Sequence, residues 1–135
     1  MKKQIKFNPR ETPGVICIER QTYGDSILIT GTLIVIGSAE ELNSWLEEEI
    51  EAAVREIKNL GGTIRIIKAA LTVSTTSVIT LSDEEVQAKE APNTNAQIVI
   101  SAAIMELHPS KAELIIRKAL AAIRTKMREK MRENK

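Results

Sequence analysis

Aromatic side chains are nearly absent: Trp45, Tyr23 and Phe7 stand alone, 2% of the chain. Ile, Leu, Val and Ala must therefore fill any core, and recognition of nucleic acid by base stacking has almost no platform. Cysteine is as scarce. Cys17 alone closes no intramolecular disulfide and has no second thiol with which to hold a metal. A secreted, disulfide-stapled scaffold is excluded, and a reducing, cytoplasmic home is expected. His108 is the single histidine, which excludes a multi-histidine metal centre. A Ser-His-Asp arrangement would have to use it as base, and no G-x-S-x-G nucleophile elbow occurs in the chain. Long apolar runs are also missing. Thr, Gly and Arg interrupt the apolar stretches, and the basic stretch from Met1 to Arg10 leads into no apolar segment with a small-residue cleavage site. Neither a signal peptide nor a membrane span is expected. A net charge of +1 leaves no whole-molecule field to steer a polyanion, so electrostatic preference must be local.

What the chain does have is an ordinary globular balance, 43% hydrophobic and 27% charged over 135 residues. That length suits one domain able to bury a core without staples. Residues 1–13 carry Lys2, Lys3, Lys6, Arg10 and two prolines, Pro9 and Pro13, and are expected to form a mobile basic arm. Val15 to Thr22 and Ile27 to Ile36, the second apolar on both faces, read as strands around the turn residues Tyr23-Gly24-Asp25-Ser26, a β-hairpin signature.

Ser38 and Glu41 form a capping box ahead of a stripe, Leu42, Trp45, Leu46, Ile50, Ala53, Val54, Ile57 and Leu60, that Gly61-Gly62 closes. Thr63 to Val73 is the next strand, completing a β-α-β unit that runs parallel to its predecessor. Val78 to Leu81 continues in strand-like composition, as a bent extension or one arm of a hairpin. Residues 82–96 have little periodicity and are expected to be the longest loop. Gln97 to Leu107 is a last apolar strand, and Ser110 with Glu113 sets a second capping box before the basic helix of residues 110–132. The expectation is an α+β two-layer sandwich: a mixed sheet of four to five strands with two helices on one face, in the order β-β-α-β-(β)-β-α.

Chemistry-bearing constellations are weak. Cys17 falls in the alternating pattern of a strand, where a small thiol is most often simply buried. The hydroxyls Ser74-Thr75-Thr76-Ser77 lack the glycines of a phosphate loop, and Asp83, Glu84, Glu85 and Glu90 lack the spacing of a calcium loop. Glu47, Glu48, Glu49 and Glu51 read as a helix's wet face. No metal, cofactor or catalytic residue is expected. Charge is lopsided, with nine basic and three acidic residues from Lys111 to Lys135 against seven acidic and two basic from Ser38 to Leu60.

Two strands apolar on both sides, in a chain with only two helices, leave a sheet face in need of a cover. The first expectation is a non-enzymatic, self-associating domain, a cyclic homo-oligomer with a trimer favoured, meeting its copies through Ile34, Ile98, Ile100, Ala102 and Ile104. Paired alanines, such as Ala69-Ala70 and Ala102-Ala103, would let elements approach closely. The alternative is a nucleic-acid-binding module with Arg124, Lys126, Arg128, Lys130 and Arg132 on phosphates. A second alternative is a small-molecule enzyme with a site between subunits, using Glu106 or His108 with the hydroxyls of residues 74–77. The few aromatics and tidy caps would also suit an engineered scaffold. The unpaired Cys17 and the irregular 82–96 segment would make that engineering partial.

Overall fold

The computed structural model describes residues 13–74, 80–82, 85–87 and 94–133. The basic arm, except Pro13, lies outside them, as do Thr75, Thr76, Ser77, Asp83, Glu84 and Glu90. The chain runs β1 (Ile16–Tyr23), β2 (Ser26–Gly37), α1 (Ala39–Asn59), β3 (Thr63–Ser74), β4 (Thr80–Ser82), β5 (Glu85–Gln87), β6 (Thr94–Met105) and α2 (Pro109–Glu133). It is the expected α+β sandwich, with a four-stranded sheet in the order β1-β2-β6-β3. Of residues 78–81, Thr80 and Leu81 lie in the short strand β4, which pairs antiparallel with β5, and β5 falls within the 82–96 segment expected to be one long loop.

All strand pairs in the large sheet are antiparallel, so it is not mixed; a single isolated parallel bridge joins Pro13 to Ile34. β2 and β3 do run in the same direction across α1, but β6 inserts between them and pairs antiparallel with both. The return of the chain after β3 supplies that inserted strand; the β-α-β pattern alone carries no information about it.

Local sequence sets each boundary. In the β1–β2 hairpin Tyr23 pairs with Ser26. Gly24 there takes φ +56, as the first central position of a II′ turn requires. The Ser38 hydroxyl accepts the Glu41 N–H at 3.3 Å, satisfying an orphan donor of α1. At the other end Gly61, at φ +85, donates to the Lys58 carbonyl, and Gly62 donates to that of Ile57. This is a Schellman closure.

The second helix starts differently from expectation. Pro109 is its first residue and His108 its cap: the Ser110 N–H donates to His108 Nδ1 at 3.2 Å, while the His108 carbonyl accepts from Lys111 and Ala112. Pro109 suits that first position because its missing N–H would have been an orphan. Ser110 already lies inside the helix and does not cap it.

Both helices lie on one face. Ile27, Ile29, Leu33 and Val35 of β2 and Ala96, Ile98, Ile100, Ala102 and Ile104 of β6 point into them. They meet Leu42, Leu46, Ala53 and Ile57 of α1 and Ala112, Ile115, Ile116, Ala119, Leu120, Ile123 and Met127 of α2, all buried in one cluster. Among the described residues the core contains no polar side chain. Gly31 belongs to this face. A Cβ there would stand 2.6 Å from Leu120 Cδ1 and 3.0 Å from Ile116 Cγ2, so the missing side chain is what seats α2 against β2.

Candidate functional site

Among the described residues no helix lies on the other face of the sheet. Register places its side chains in rows across the four strands. Tyr23, Ser26, Met105 and Thr63 form the first, and Gln21, Leu28, Ala103 and Ile66 the second. Glu19, Thr30, Ser101 and Lys68 follow, then Cys17, Thr32, Val99 and Ala70. Ile34 and Gln97, with Thr72, make the next. Its centre is small and half-buried, whereas the edge strands hold exposed Tyr23 (64%) and Ile66 (47%). Charges sit at the rims, with Glu19 on β1 and Lys68 on β3. Arg65 interrupts the β3 register as a bulge and reaches the Ser26 hydroxyl at 3.2 Å.

A shallow hollow of about 220 Å³ opens on this face, lined by Cys17, Glu19, Thr30, Thr32 and Gln97. Strands about 4.8 Å apart and about 3.4 Å long per residue give the face roughly 600–700 Å² in projection. That approaches the ~800 Å² each partner contributes to a standard stable interface.

Ile98, Ile100, Ala102 and Ile104, expected at a subunit contact, are 0–1% exposed under the helices. They cannot touch a second copy in this fold. The isoleucines of β6, Ile98, Ile100 and Ile104, all share the phase that the helices cover, so the residues facing outward are Gln97, Val99, Ser101, Ala103 and Met105. Ile34 is the one nominated residue on the open face, half-buried beside Gln97. Its carbonyl also accepts the Gly14 N–H at 2.8 Å.

The basic residues of α2 are largely engaged with their own chain. Lys126 Nζ stands 2.7 Å from Glu48 and 3.4 Å from Glu49. The hydrogen bond to Glu48 raises its pKa above the ordinary lysine value, and the nearby Glu49 charge adds to that against the opposing effect of burial. Lys130 pairs with Glu41 at 3.6 Å and Lys118 with Glu56 at 3.6 Å. Arg124 donates to the Gly14 carbonyl at 3.2 Å, holding the start of the described chain against α2. Arg128 Nη2 lies 3.8 Å from the place a Cβ on Gly14 would take. Arg132 is exposed near the end of the helix. The acidic surface of α1 and the basic surface of α2 thus face one another, which counting charges along the sequence could not reveal.

Of the residues proposed for an enzyme site, the described ones, Glu106, His108 and Ser74, do not converge. Glu106 follows β6 with φ 61 and accepts from the Thr63 hydroxyl at 3.1 Å. His108, close by, is committed to the α2 cap. Ser74 pairs with Asn95 at the far end of β3, twelve residues long and so roughly 36–40 Å from end to end. Among the described residues no group of three His, Cys, Asp or Glu could hold a metal ion, and no helix is long and apolar enough to cross a membrane. Neither a family model, nor a curated protein, nor a solved structure matches the chain.

Proposed function

We propose that this chain is a non-enzymatic self-associating module, working in a reducing cytoplasmic compartment, whose open sheet face is covered by another copy in a cyclic homo-oligomer. One observation carries the reading. A four-stranded sheet whose buried helix-side residues are all apolar presents on its other side a surface of interface dimensions, with Leu28, Val99, Ala103, Met105 and Ile66 on it and no cover among the described residues. Apolar side chains grouped on one uncovered sheet face mark an interaction site more often than the same residues scattered singly. Small, half-buried residues at the centre and charges at the rim match the anatomy of such contacts. The second copy is the favoured occupant because the two halves of the face differ in charge, Glu19 on the β1 side and Arg65 with Lys68 on the β3 side.

Phosphate binding by α2 has less support, since Lys126 and Lys130 already face Glu48, Glu49 and Glu41. Light scattering on a sizing column, at low and high salt, tests the proposal. A multimer that persists at high salt is the expected result, because apolar contacts are not screened. A monomer at micromolar concentration in both conditions overturns it.

A further inference from the structure

We infer that two copies meet through the open face about a twofold axis running parallel to the strands, so that β2 of each lies over β6 of the other and β1 over β3. The inference rests on the self-association proposed above and adds the symmetry and the residues that select it. An axis of that direction lays each cross-strand row on its own reversed copy.

The rows are built for reversal. Ser26 is paired with Met105, and Leu28 with Ala103, a small residue beside a large one each time. Reversal sets Leu28 of one copy over Ala103 of the other, and Met105 over Ser26. Knobs then meet gaps, as close packing of two surfaces demands. The next row holds Glu19 at one rim and Lys68 at the other, joined through Thr30 and Ser101. Within one copy these two lie three strand spacings apart, roughly 14 Å, too far to pair. Reversal brings Glu19 of each copy opposite Lys68 of the other, twice per dimer.

A twofold perpendicular to the strands would instead put Glu19 near Glu19 and Lys68 near Lys68, which electrostatic complementarity disfavours. Aligned sheets pack about 30° apart, so rows superpose best near the axis, and the Glu19–Lys68 row lies in the middle of the face. Isologous closure of this kind yields a dimer, in place of the trimer expected from composition.

A charge swap tests the pairing. Glu19→Lys and Lys68→Glu, both at exposed positions, each place like charges across the contact; the dimer dissociation constant, from sedimentation over a concentration series, should rise about tenfold in each single variant. The double variant, with the pair reversed, should return to within about threefold of the wild type. A wild-type dimer with weakened singles and a restored double supports the twofold arrangement. Singles that associate as tightly as the wild type, a double no better than the singles, or a wild-type trimer would overturn it while leaving the open face as the interface. A wild-type monomer would overturn the self-association beneath it.

Discussion

Neighbouring residues of β6 live in opposite environments: Ile98, Ile100 and Ile104 have no exposed surface, while Val99, Ser101 and Ala103 beside them are half-open to the other side. The covered face is apolar at every buried position and even dispenses with a side chain at Gly31 to admit α2. The open face mixes valine, alanine and leucine with hydroxyls and keeps its charges for the edge strands. A face sealed within its own chain needs only volume and apolarity. One that must exist both free and in contact needs polarity as well, and the intermediate composition here suits the self-association proposed for it.

The difference is measurable, first by stability. Ile100→Ala, on the covered face, should cost about 2–5 kcal/mol, the range for deleting a large buried side chain. Val99→Ala, one residue away, should cost less than about 1 kcal/mol when unfolding is followed at a concentration low enough to dissociate any multimer. Urea unfolding of the two variants checks this, and equal losses would erase the distinction between the faces.

Gly31 is the next place to press. Gly31→Ala would push its new methyl into Leu120 and Ile116, side chains that are themselves fully buried. Overpacking of this kind costs about 1–3 kcal/mol, visible as a lower urea midpoint. A neutral or stabilising result would mean that α2 rides more loosely on β2 than the spacing implies.

A smaller effect tests the helices' outer surfaces. A double-mutant cycle between Lys126 and Glu48 should return about 0.2–1 kcal/mol of coupling, as exposed pairs do. Because the folded pKa of Lys126 lies above its usual 10.5, the coupling is fully present below about that pH and is lost as pH rises through the folded value. Coupling that grew above pH 11 would contradict the assigned pairing.

Much of the fold was legible because its signals are local. The Ser38 box, the Gly61-Gly62 closure, the Tyr23–Ser26 turn and the stripe from Ala112 to Met127 act within a few residues of themselves. The position of β6 between β2 and β3 was not, since it depends on where the chain returns after β3. The candidate surface was half legible. That one sheet face bears no helix among the described residues agrees with counting helices against apolar strands, but which face did not follow from that count. Ile98, Ile100, Ala102 and Ile104 drew attention by being apolar, the very property that places them under the helices; Gln97 and Ser101, alternating with them, carried the signal of the outward phase. His108 looked like a bystander to a cap at Ser110, since a histidine is an uncommon cap and Ser is a preferred one.

The thiol of Cys17 lies on the open face, in the row of Thr32, Val99 and Ala70, and it is the chain's single cysteine. Its alkylation rate, measured against protein concentration, therefore reports directly whether that face is covered. If copies cover one another there, the rate falls as concentration rises through the dissociation constant and recovers on dilution. A rate that stays constant from nanomolar to high micromolar protein would contradict the central claim.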